Sequence, residues 1–139
     1  MILLDTNVIS ELLRSAPDMR VVEWIDSQPV QTLCLSAITV AELRWGVAQL
    51  PAGKRRAALH AKLEEGLMPH MVSRVLPFDT DCARSYADLM EKARAEGRGI
   101  ALADGLIAAL ASAKNLTVVT RDVSPFEAAG LTVINPWAE

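Results

Sequence analysis

Met1-Ile2-Leu3-Leu4-Asp5-Thr6-Asn7-Val8-Ile9-Ser10-Glu11-Leu12-Leu13 decides the fold of this chain. Ile2 to Leu4 form a short apolar run suited to a strand buried on both faces. Asp5 ends that run. Thr6 and Asn7 can cap a helix, and Val8, Ile9, Leu12 and Leu13 follow helical spacing. A buried strand thus meets a helix, with a carboxylate at the junction. In open α/β sheets, ligands bind at the carboxyl ends of the strands. A carboxylate there is costly to bury unless something positive pairs with it. A helix-start acid favoured by the macrodipole is the alternative for this stretch alone.

The same alternation continues along the chain. Val21, Val22, Trp24 and Ile25 predict a second helix, which Gln28-Pro29 ends. Residues 32–35 read as a strand, and Ser36 caps a helix through Ile38, Val40, Leu43 and Val47. A long helix is expected from Lys54 to about Met71, with Leu59, Leu63 and Leu67 on one face. Residues 75–78 read as a short strand that Pro77 confines to a sheet edge. Asp79-Thr80-Asp81 opens a helix to about Glu96, residues 97–99 form a joint, and the next helix ends near Lys114-Asn115. Residues 117–120 form a β-branched strand. Ser124, Pro125 and Glu127 mark a helix with Ser124 at its cap, and residues 132–134 are a last strand. This order predicts a single domain over residues 1–139, an α/β/α three-layer fold with a mostly parallel central sheet.

The composition agrees. The chain has 139 residues, 51% of them hydrophobic, and a formal net charge of −3. Its length suits one domain with a real core, and its charge speaks against nucleic-acid binding by bulk positive charge. No signal peptide is expected, because Asp5 interrupts the opening apolar run. The run from Ile100 to Ala113 contains Asp104 and is too short to span a bilayer. Cys34 and Cys82 form no metal-binding pair, which fits two reduced, packed cysteines and a cytoplasmic location.

Four acids stand where solvated charges do not belong. Asp5 and Asp122 end strands. Glu42 lies among Val40, Ala41 and Leu43. Asp104 interrupts the small apolar stretch before Gly105-Leu106-Ile107-Ala108. Each singly also fits a cap or a paired charge, and spacing alone does not bring them together. Were they to share a cleft, they would repel one another, and a divalent ion would be the natural partner. An all-oxygen set without His or Cys selects Mg²⁺ or Mn²⁺ over zinc.

Leu4-Asp5-Thr6-Asn7-Val8-Ile9-Ser10, Ala41-Glu42-Leu43 with Gly46, Ala103-Asp104 with Ile107-Ala108-Ala109, and Val119-Thr120-Arg121-Asp122 resemble the four acidic motifs of PIN-domain ribonucleases. The resemblance is strongest to VapC-type toxins of bacterial toxin–antitoxin pairs, including their FitB-like branch. It spans essentially the whole chain, in order. It implies Mg²⁺- or Mn²⁺-dependent endonucleolytic cleavage of RNA, with Asp5 and Asp104 as main ligands, Glu42 also orienting the attacking water, and Asp122 acting through a bound water. Thr6 and Thr120 stand as hydrogen-bond donors behind the ligands, or equally as strand-end caps. The resemblance also implies a homodimer silenced by a small antitoxin protein laid over apolar grooves and the acidic cleft, with no membrane association. Arg44, Arg121 and the Lys54-Arg55-Arg56 cluster are candidate phosphate contacts, although a solvated helix face suits the cluster better. Trp45 beside Gly46 reads as close helix packing.

Two other functions compete. A non-catalytic PIN-like module would bind RNA or a partner without turnover, and the intact acids speak against it. A phospho-acceptor receiver domain also clusters acids around Mg²⁺, but needs a Lys at the end of a late strand, where this chain has Thr120 and Arg121.

Overall fold

The structure is a computed structural model in which residues 1–138 are described. Among them, five strands form one sheet: β1 (Ile2–Leu4), β2 (Leu33–Ser36), β3 (Val75–Leu76), β4 (Thr117–Val119) and β5 (Val133–Ile134). Their order is β3-β2-β1-β4-β5, and every neighbouring pair is parallel. The α/β class expected from the sequence is the observed one, and β3 lies at an edge as Pro77 implies.

Side-chain alternation explains the apolar runs. Leu3 pairs in register with Cys34 and Val118, and Leu4 with Val119. Strand period two sends Leu3, Cys34 and Val118 to one face and Leu4, Leu35 and Val119 to the other. The first set packs with Ile107, Leu110 and Phe126, under α6 (Thr80–Ala95), α7 (Leu102–Lys114) and α8 (Ser124–Ala128). The second packs with Val8, Ile9, Val21, Val40 and Leu43, from α1 (Thr6–Leu12), α2 (Met19–Asp26) and α3 (Ala37–Ala48). Both faces are covered, so the central strands carry no polar alternation. Cys34 and Cys82 are buried and free. Among the described residues, no helix is long and apolar enough to cross a membrane.

Three local expectations are corrected. The long middle helix breaks into α4 (Lys54–Ala61), a π-helical segment (Lys62–Leu67) and α5 (Met68–Met71). Pro69 has no N–H for the i−4 carbonyl, and Gly66 adds backbone freedom, so the ladder widens there. Leu63 stays buried and Leu59 and Leu67 pack beside it, so the expected apolar face survives. The second strand starts at Leu33, because residues 30–32 close a 3₁₀ turn. Ser124 is the first residue of α8 rather than its cap, since Val123 already has near-helical dihedrals and makes no side-chain cap bond.

The topology selects where a site can form. From β1 the chain visits β2 and β3 on one side, then crosses to β4 and β5 on the other. The reversal lies between β1 and β4, the switch point at which open α/β sheets bind ligands. Asp5 N–H bonds the Val119 carbonyl across this seam at 2.9 Å.

Helix α7 is seated on α6 by Gly105. A Cβ there would stand 3.1 Å from Tyr86 Cε1 and 3.2 Å from Met90 Sδ. We expect Gly105→Val to lower stability by about 2 kcal/mol through overpacking. Gly105→Ala should be near neutral, because its higher helix propensity offsets the tighter contact. Urea unfolding of both variants measures this.

Candidate active site

Asp5 is the N-cap of α1, a role the sequence suggested for Thr6 or Asn7. Its backbone is extended (φ −72°, ψ 161°) and its Oδ1 accepts the Thr6 N–H at 2.8 Å. Its Oδ2 accepts the Thr120 hydroxyl at 2.8 Å from the end of β4. Only 4% of the residue is exposed. The Thr120 oxygen in turn accepts Asn7 Nδ2 and the Asp122 N–H, each at 3.1 Å. Asn7 Oδ1 accepts the Arg121 N–H at 3.3 Å. The ends of β1 and β4 are thus tied around one carboxylate.

Glu42 comes from α3, whose start Ser36 caps through the Ile38 N–H. Thr6 donates its hydroxyl to Glu42 Oε1 at 2.6 Å, and the buried Thr39 hydroxyl lies 3.0 Å from Thr6. Thr6 and Thr120 therefore each hold an acid. Asp104 sits in the first turn of α7, half-buried.

Asp5, Glu42 and Asp104 line one open cleft of about 580 Å³, with Thr6, Asn7, Ser10, Glu11, Arg14 and Arg55. Asp122 is exposed and does not line this cavity, but its charge acts on Asp104. Burial pushes the Asp5 carboxyl up to about 6. Hydrogen bonds from Thr120 and the Thr6 amide oppose the rise, and the charges of Asp104 and Glu42 add to it. Burial also raises Asp104, with Asp122 and Glu42 adding.

Among the described residues, none of these four acids has a Lys, Arg or His within ion-pair distance. That donor set is all oxygen and its charge is uncompensated, which suits a hard divalent cation. The carboxylates ring the cleft without closing on one point: among the described residues, no three His, Cys, Asp or Glu side chains already form a metal-ligand group. His60 lines a separate groove with Arg44 and Glu64.

Sequence reasoning gives no functional reading of Glu11 or Arg14, which also line the cleft. Glu11 is 6% exposed, accepts the Asp18 N–H at 3.0 Å and pairs with Arg14 at 3.3 Å. Its place among Ile9, Leu12 and Leu13 is the signal that singled out Glu42. Arg14 carries no comparable signal, whereas Asn7, expected as a cap, and Arg55, from the basic cluster, both line the cleft. Other expectations change. Arg44 forks onto Glu64, with its closer contact 2.8 Å, and Arg121 lies 5.3 Å from the Trp137 ring centroid, so both have protein partners. Trp45 is 66% exposed, and a Cβ on Gly46 would meet nothing within 4 Å, so neither reflects close packing.

A family model described as the PIN domain matches residues 2–130. VapC ribonuclease Y4jK of Sinorhizobium fredii is 60% identical over 137 residues, covering 99% of this chain and 98% of the relative. Toxin FitB of Neisseria gonorrhoeae is 53% identical over 137 residues, covering 99% of each. The crystal structure of FitAcB from Neisseria gonorrhoeae superposes with a TM-score of 0.95 at 52% identity, covering all of both chains.

Proposed function

Because the chain belongs to the PIN-domain family, we propose that its acidic cleft is the divalent-metal site of an endoribonuclease, the toxin of a toxin–antitoxin pair. The protein is a ribonuclease of the VapC kind, and hydrolysis of RNA phosphodiesters is its reaction. The observation that carries the metal-dependent form is the gathering of Asp5, Glu42 and Asp104 around one cleft, with no cation at ion-pair distance.

In this proposal Asp5 and Asp104 hold Mg²⁺ or Mn²⁺, helped by Glu42 and Asp122. The ion, when bound, would lower the pKa of a water and neutralise charge developing on the phosphorus. The chain's own residues do the positioning. Thr120 and the Thr6 amide fix both Asp5 oxygens, and Thr6 fixes one Glu42 oxygen. The second Glu42 oxygen has no protein partner among the described residues and is the group that takes the proton of the attacking water. Asn7 locks Thr120 in place from the other side.

Whole-chain action as one domain, a homodimer and a small antitoxin complete the proposal. Exposed Trp45 and Leu102, each 66% accessible, supply apolar surface for protein contacts. The antitoxin supplies positive charge to the cleft, as a metal otherwise does.

Purified protein, freed of any antitoxin, should cut RNA with Mg²⁺ or Mn²⁺ and stop with EDTA. Expression of the chain alone should arrest growth, and co-expression of the cognate antitoxin should relieve the arrest. RNA binding without cleavage under every metal condition would instead identify a non-catalytic module.

A further inference from the structure

Four arginines, Arg44, Arg55, Arg56 and Arg121, could meet a phosphate on sequence grounds, and the structure sorts them. Arg44 is spent on Glu64, and Arg121 faces Trp137. Arg55 differs. It lines the acidic cleft beside Glu42 and Asp104, and also the adjoining groove of about 490 Å³ with Leu43, Gly46 and Lys62. Among the described residues it has no acidic partner. Arg14 lines both cavities too. It touches Glu11 only through Nη1, at 3.3 to 3.4 Å, and among the described residues the rest of its guanidinium has no hydrogen-bond partner.

The position of Arg55 works against the helix that carries it. Lys54, Arg55 and Arg56 fill the first turn of α4, which has no acid and no side-chain cap. Cations there oppose the macrodipole. A local rule broken at the lip of a cleft points to function rather than folding. The chemistry narrows that function. Carboxylates repel a polyanion, so a nucleic acid approaching them needs cations on the wall. A guanidinium suits this because it grips phosphate oxygens two at a time.

We infer that Arg55, assisted by Arg14, holds the RNA phosphate that neighbours the one cleaved, so that the strand runs from the acidic cleft over the α1–α4 groove. The inference rests on the ribonuclease function proposed above. It makes Arg55 a substrate-positioning residue.

The test compares Arg55→Gln with Arg56→Gln, because Arg56 lines the opposite groove with His60 and Glu64. Steady-state cleavage of a short RNA should show KM raised about tenfold by Arg55→Gln, with kcat within about threefold of wild type. Binding of the same RNA is measured separately in EDTA on an Asp104→Asn background, by fluorescence anisotropy across a salt series. There Arg55→Gln should weaken binding and reduce the slope of log K against log salt by about one. Arg56→Gln should change neither. Arg55→Gln should melt no lower than wild type, since it removes a cation from the first turn. Wild-type affinity and slope in Arg55→Gln would overturn the inference, as would equal losses in Arg56→Gln. A melting temperature several degrees lower would assign Arg55 to the fold instead. If the wild type binds RNA through Arg55 but never cuts it, the ribonuclease function fails, and Arg55 is left as an RNA contact with no place beside a cleaved phosphate, which overturns the inference as stated.

Discussion

Asp104→Asn should slow RNA cleavage by about three orders of magnitude, or about 4 kcal/mol of barrier. The amide has nearly the shape of the carboxylate but no charge with which to hold a cation, and metal catalysis depends on that charge. The fold has little reason to respond. Asp104 makes no hydrogen bond or ion pair to the protein among the described residues, and burial and neighbouring acids already disfavour its charged form. Circular dichroism should match wild type, and melting in EDTA should be equal or higher. Cleavage at the wild-type rate, against a mock preparation as control, would move the active centre elsewhere.

Asp5→Asn should stabilise the metal-free protein at pH 7.5 by roughly 1–3 kcal/mol. The folded carboxyl titrates at about 6 against an ordinary 3.8. Each unit is worth 1.36 kcal/mol, which sets the upper figure. The lower figure allows for the amide nitrogen, which cannot accept the Thr120 hydrogen. The sign follows from proton linkage. The folded state binds this proton more tightly than the unfolded state, so ionisation costs wild-type stability as pH rises from about 4 to about 6, and the deficit is constant above. The advantage of Asp5→Asn should therefore vanish by about pH 4. The variant should also lose the stabilisation that Mn²⁺ gives wild type by binding only the folded state. Urea unfolding at pH 4 and 7.5, with EDTA and with Mn²⁺, measures both. A loss of about 1 kcal/mol at pH 7.5 with the Mn²⁺ response intact would make Asp5 a helix cap and nothing more.

Much of this was legible because burial leaves a pattern. β1 is apolar throughout and β4 nearly so, since both their faces are covered, and Asp5, Glu42 and Asp104 stand out as charges beside or inside apolar runs of strand and helix. What could not be read depends on pairs far apart in sequence. Nothing local announces that Thr6 donates to Glu42, 36 residues on, or that Asn7 reaches Thr120. Glu11 sits beside Arg14, where an i,i+3 pair passes for a surface feature. Trp45 next to glycine suggests tight packing, whereas that side of α3 is open. The π-helical segment was hidden because Leu59, Leu63 and Leu67 keep an apolar face through it.

The seam between β1 and β4 also orders events during synthesis. The acids divide across it: Asp5 and Glu42 precede β3, while Asp104 and Asp122 follow it. A ribosome that has made the chain as far as α6 has made only β1 to β3, with the β4 partner of β1 and two of the four acids still to come. Thr120, which grips Asp5, comes after Asp104 as well. A growing chain thus carries no complete set of the four acids until translation has passed residue 122, and any product cut short before then lacks it.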